Sequence, residues 1–168
     1  QFSAGQWHPE APVPAIGWNY GAVTLAERDQ GLTIKTPDQH SDLSPSPHPP
    51  SFQDYVFEKP LQKGGFISIT LTWDRLVELV DKNKNGEFDM EESFRDRGLN
   101  TLYLYLMRAE DTDTRKSIWS SISDVDSLQH LFHQIPETGQ YKIRVVFQKR
   151  VNEAVQPYAI AWWSVPAR

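Results

Sequence analysis

The 168-residue chain contains no cysteine, so neither a disulfide nor a thiolate can cross-link it or attack a substrate. It has no apolar run near the roughly 18–20 residues that a membrane-crossing helix requires. It has no excess of basic charge: 17 Lys and Arg stand against 22 Asp and Glu, a formal net charge of −5. That balance argues against nucleic acid as a partner, because phosphate-binding surfaces need a basic stripe. There is no G-x-S-x-G elbow and no glycine-rich phosphate loop. No catalytic constellation is legible, so the expectation is a protein that is not an enzyme.

What is present is aromatic and β-forming. Six Trp, six Tyr and eight Phe accompany a mean hydropathy of −0.55. This combination suits a soluble β-rich domain with large planar core fillers. Phe66–Trp73 alternates Ile67, Ile69, Leu71 and Trp73 with Ser68, Thr70 and Thr72. Leu102, Leu104 and Leu106 alternate with Tyr103 and Tyr105. Ile143, Val145 and Phe147 alternate with polar residues, and Tyr158, Ile160 and Trp162 with Ala159, Ala161 and Trp163. Shorter candidates are Tyr55–Glu58, Ser117–Ile122, Leu128–Gln134 and one or two strands within residues 16–36. Seven or eight short strands with turn punctuation predict an all-β, antiparallel β-sandwich that is jelly-roll-like.

The most specific signal is the segment Asp81–Glu92, DKNKNGEFDMEE. It matches the EF-hand-like loop pattern D-x-[DN]-x-[DN]-G-x5-E at every specified position. Asp81, Asn83 and Asn85 each offer a side-chain oxygen, Glu87 its carbonyl, Asp89 a direct or water-borne contact, and Glu92 both carboxylate oxygens. Such a set suits Ca2+, a hard cation taking 6–8 oxygens at about 2.4 Å. Gly86 permits the sharp turn, and Phe88 is expected to anchor the loop to the core. A single loop without a paired partner reads as a static brace rather than a switch. The residues before it also fit helical spacing through Trp73, Leu76, Val77 and Val80, but the preceding alternation favours a strand. Met90–Arg97 is expected to form a short helix stopped by Gly98.

Residues 1–15 carry three prolines and read as an extended N-terminal arm, with the sandwich over 16–168. Phe2 and Trp7 are its candidate docking side chains, against its own domain or further copies of the chain. Residues 37–51 hold five prolines and read as a stiff loop. On a strand, Trp162 and Trp163 face opposite ways, which leaves Trp163 as a candidate for stacking on glycans or another subunit. His130 and His133 resemble a zinc pair, but their odd spacing separates them on a strand and no third ligand is evident. Asp111, Asp113, Asp124 and Asp126 offer a weaker second cation site. The chain opens at Gln1 without a basic or apolar leader, and the expectation is that a signal peptide or upstream domain has been removed. Together with a calcium loop, that points to a secreted or cell-surface location.

One resemblance covers roughly residues 65–163. The order Ile69–Asp74, Gly98–Leu106, Asp126–Leu131, Glu137–Val145 and Tyr158–Trp163 resembles bacterial pre-peptidase C-terminal-type jelly rolls. It is also similar to β-sandwich domains appended to subtilisin-like proteases. The resemblance implies a non-catalytic extracellular sandwich, often an accessory to a secreted enzyme. That family's L-x-L-D-L-type strand carries an acidic residue where this chain has Leu102-Tyr103-Leu104, so no cation ligand transfers to that strand. The Asp81–Glu92 insertion resembles dockerin loops. The functional expectation is a calcium-binding structural or interaction protein, including a self-assembling surface, matrix or filament subunit. The alternative is a carbohydrate-binding or accessory module of a secreted hydrolase.

Overall fold

The computed structural model describes the backbone of residues 15–24, 26–28, 31–33 and 51–167, and side chains from 51 to 167. The predicted arm over 1–14 and most of the proline-rich segment, with Phe2 and Trp7, lie outside the described residues. Ala15 already belongs to a strand.

Twelve strands are described: β1 (Ala15–Thr24), β2 (Ala26–Arg28), β3 (Gly31–Thr33), β4 (Phe52–Val56), β5 (Phe66–Thr72), β6 (Leu76–Val80), β7 (Ser93–Gly98), β8 (Thr101–Arg108), β9 (Trp119–Ser121), β10 (Leu128–Gln134), β11 (Tyr141–Lys149) and β12 (Val155–Val165). Among the described residues a 3-10 turn at Thr114–Lys116 interrupts them, capped by the Asp113 carboxylate. Two four-stranded sheets run β1-β12-β5-β10 and β4-β11-β8-β9, all antiparallel, with β2–β3 and β6–β7 as separate hairpins. This is the all-β antiparallel class the alternation predicts. The strand count exceeds the expected seven or eight because the short pairs β2–β3 and β6–β7 add to the eight strands of the main sheets.

The alternation sets the core. Ile67, Ile69 and Leu71 of β5 face Leu102, Leu104 and Leu106 of β8 and Ile143, Val145 and Phe147 of β11, all fully buried. Each such side chain contributes about 1.5–3 kcal/mol of burial. Trp162 packs inward on Tyr55 and Phe57, at ring centroid distances of 5.6 and 6.4 Å. β11 is buried on both faces: Arg144 donates twice to Asp54 at 2.6 and 2.7 Å, donates to the Thr112 carbonyl and lies over the Phe52 ring.

Residues 74–99 leave this body as a projecting hairpin. β5 stops at Thr72, and β6 starts afresh at Leu76 and pairs with β7. The loop is therefore approached by strand, as preferred, though not by the same strand. The expected helix over Met90–Arg97 is not formed: Ser93–Gly98 is a strand, because β6 offers it an antiparallel ladder from Val80↔Ser93 to Leu76↔Gly98, with one register shift between Val77 and Leu76. Salt bridges Arg75–Asp96 and Arg97–Glu78 lie along its exposed surface. Gly98 does terminate the element, in a left-handed conformation with φ 88°.

Candidate metal centre

The hairpin carries Asp81–Glu92 at its tip. Lys84 (φ 62°) and Gly86 (φ 80°) both take left-handed backbone, and these two residues wind the chain tightly around the Asp81 side chain. The Asp81 carboxylate accepts the N–H groups of Lys84 and Gly86. The Gly86 N–H, and after it those of Lys84, Asn85 and Asn83, hold the Asp81 carboxyl below its ordinary range. The Asn83 Oδ1 accepts the Asn85 N–H at 3.0 Å, and the Asn85 Oδ1 accepts the Glu87 N–H at 2.8 Å.

Asn83 and Asn85 both turn their amide NH2 groups to one oxygen, Asp89 Oδ2, at 2.6 and 3.1 Å. Three of the predicted ligands therefore meet at one point. The two Asn oxygens are held by backbone N–H groups instead, so a cation bound here would have to replace the amide donors on Asp89 and either share or displace those two backbone bonds. Glu92 closes the loop: its carboxylate accepts the N–H groups of Lys82 at 2.7 Å and Asp89 at 3.1 Å, and its own N–H donates to the Asp89 carbonyl. The donor set is all oxygen once the amides turn, which fits calcium and not a soft metal. Among the described residues, no three His, Cys, Asp or Glu side chains form a metal cluster by themselves. The set expected from the sequence includes two Asn amides and a backbone carbonyl as well.

Phe88 does not anchor the loop to the core. It is exposed and stacks on Phe94 of β7, rings 5.2 Å apart and 14° from parallel. The hairpin's own strand β7, not the core, supplies its contact.

The other candidates do not converge. Asp113 binds Arg115, Asp124 accepts from the Tyr103 hydroxyl at 2.7 Å, and Asp126 accepts from Ser123. His130 shares a hydrogen bond with Thr70, while His133 stacks on Trp119 from the opposite face of β10. Burial lowers the His133 pKa. Trp163 faces outward, 37% exposed. In register with it across β5 stand Ser68 and then Phe132 of β10. Sequence reasoning missed Phe132. Its only signal was an aromatic in the outward phase of Leu128–Gln134, opposite to the inward Gln129 and Leu131.

No protein-family model matches the sequence, and no curated protein matches it. Among the described residues, no helix is long and apolar enough to cross a membrane.

Proposed function

We propose that the chain is a non-catalytic, calcium-binding β-sandwich with a structural or interaction role, acting outside the cell or at its surface. The observation that carries this reading is the meeting of Asn83, Asn85 and Asp89 at one oxygen, flanked by the backbone-held carboxylates of Asp81 and Glu92. In it, Ca2+ draws in the two Asn oxygens and the Glu87 carbonyl and stiffens a hairpin that the core does not support. The order of the eight sheet strands, with the two hairpins set aside, supports the jelly-roll-like reading, and the resemblance to pre-peptidase C-terminal-type domains points the same way. The absence of enzymatic activity belongs to the same proposal and rests on the sequence, in which no catalytic constellation is legible. Assembly with further copies through the N-terminal arm is the interaction role we favour, and an accessory carbohydrate-binding role is the alternative.

Thermal melting in calcium and then in chelator tests the calcium reading. A ligand at a hundredfold excess over its Kd stabilises the folded state by about 2.7 kcal/mol. The expected result is a higher Tm in calcium, with most of the gain removed by Glu92→Gln. An identical Tm in both buffers overturns it. Sedimentation across a range of concentrations tests assembly, and a chain that stays monomeric throughout overturns that part.

A further inference from the structure

Among the described residues, the outward positions of β12, β5 and β10 form an uncharged face. β12, β5 and β10 are in mutual register over four rows of three outward positions, from Ala159–Thr72–Leu128 to Val165–Phe66–Gln134. None of these positions carries Asp, Glu, Lys or Arg, in a chain where 23% of residues are charged. One row is Trp163–Ser68–Phe132, a small residue between two large rings. Ser68 is almost covered, while Phe132 keeps 54% of its surface exposed and stacks on Phe66 at 5.3 Å, 12° from parallel. The next row is Ala161–Thr70–His130, where the Thr70 hydroxyl and the His130 imidazole share a 2.9 Å hydrogen bond. On the far side of β12, backbone register sets Trp18 opposite Ala161 and Tyr20 opposite Ala159.

We propose that this face docks a neutral polysaccharide chain. β10 and β12 flank β5, so the backbone positions of Phe132 and Trp163 lie about 10 Å apart at ordinary strand spacing. That matches the reach of two linked pyranose units. A pyranose presents a flat C–H face to an aromatic ring and hydroxyls at its edge to neutral donors and acceptors. The row of rings meets the first demand, and the hydroxyl–imidazole row beside it meets the second. A charged polymer or an acidic or basic peptide finds no complementary charge among these twelve positions. This inference rests on and deepens the alternative, carbohydrate-binding reading and is independent of the calcium loop.

Affinity electrophoresis of the full chain in gels cast with neutral polysaccharides (a mixed-linkage β-glucan, a xylan, a galactomannan) tests it, together with sedimentation onto insoluble cellulose and chitin. Retention by at least one of these is expected. Phe132→Ala and Trp163→Ala should each weaken it roughly tenfold, the scale of one lost aromatic contact. Trp119→Ala, in the other sheet, should leave it unchanged, and melting curves confirm that every variant is folded. Retention should survive Glu92→Gln below that variant's Tm, so this face and the calcium loop are judged separately. Wild-type protein retained by none of the polymers overturns the proposal, as does undiminished retention of Phe132→Ala. A wild-type dimer that dissociates on Phe132→Ala without any sugar retention also overturns it, and assigns the face to a second copy.

Discussion

The Trp73 indole donates to the Asn100 carbonyl at 2.7 Å, and this bond joins the two ends of the β6–β7 excursion where they leave the core. Trp73 follows β5 and Asn100 precedes β8, so the pair clips a hairpin that is otherwise exposed. The Asn100 side chain extends the clip. Its Oδ1 accepts the Val151 and Asn152 N–H groups, and its Nδ2 donates to the Glu153 carbonyl and to Gln156. Asn100→Ala removes a fully buried amide and leaves the Val151 and Asn152 N–H groups without their acceptor. We expect a loss of about 3 kcal/mol in urea denaturation, since each stranded group costs about 1–3 kcal/mol. A loss under about 1 kcal/mol would show that water replaces the amide and that the clip rests on the indole alone.

Gly98 sits beside that clip, and its carbonyl accepts from the Asn152 side chain at 2.7 Å. Its φ is 88°, and a Cβ there would lie 2.6 Å from Val151 Cγ1. Gly98→Ala is expected to cost about 2 kcal/mol from backbone strain and overlap together. The two causes separate in a double mutant. Val151→Ala removes the overlap and leaves the strain, so Gly98→Ala measured in that background should cost about half as much. Equal costs in both backgrounds would mean that Val151 moves aside freely.

On the second sheet, Asp54 serves two buried cations. Arg144 grips it through Nε and Nη2, and Lys142 Nζ stands 3.1 Å away. Burial alone would raise the Asp54 pKa, but the hydrogen bonds and charge of Arg144, and then those of Lys142, outweigh it and hold the carboxyl below its ordinary 3.8. The folded state thus binds this proton less tightly than the unfolded chain. The stabilisation is complete above the ordinary value and is lost as pH falls through the lower folded one. Asp54→Asn should cost about 2 kcal/mol at pH 7, since it leaves two cations unpaired. The deficit relative to wild type should shrink below pH 4. A deficit that stays constant from pH 7 to pH 3 would remove Asp54 as the acid-sensitive group.

The sandwich was legible because Ile67, Ile69 and Leu71, and their counterparts in β8, β11 and β12, repeat at period two with one face fully buried. The hairpin was half legible. Ligand spacing in Asp81–Glu92 is local and survives in a linear reading, but the strand at Ser93–Gly98 has no alternation to announce it. Its conformation comes from pairing with β6 across the loop, a tertiary effect that outweighs the helix-favouring Glu91-Glu92 start. The Phe132–Ser68–Trp163 row was invisible for a related reason. Its members lie on three strands far apart in sequence, and only register brings them into one line. Met90 shows the limit from the other side: it holds a loop position without a ligand role and ends 97% exposed, so no core pattern governs it.

Tyr103 and Asp124 offer a probe at alkaline pH. The hydrogen bond to Asp124, then burial, then the charge of Asp124 push the Tyr103 phenol up to about 12. An unfolded tyrosine ionises near 10. Between those values the folded chain keeps a proton that the unfolded chain releases, so this contribution to stability is whole below about pH 10 and fades as pH rises towards about 12. Absorbance titration of phenolate should show Tyr103 ionising late. Asp124→Asn, which removes the charge and weakens the acceptor, should bring that ionisation down towards the ordinary range while leaving the buried Tyr158, whose pKa burial also raises, in place. Tyr103→Phe should delete one late-titrating phenol from the wild-type curve. If it deletes an early one instead, the bond to Asp124 does not persist in solution, and the segment Ser123–Asp126 is held by Ser123 and Gln129 alone.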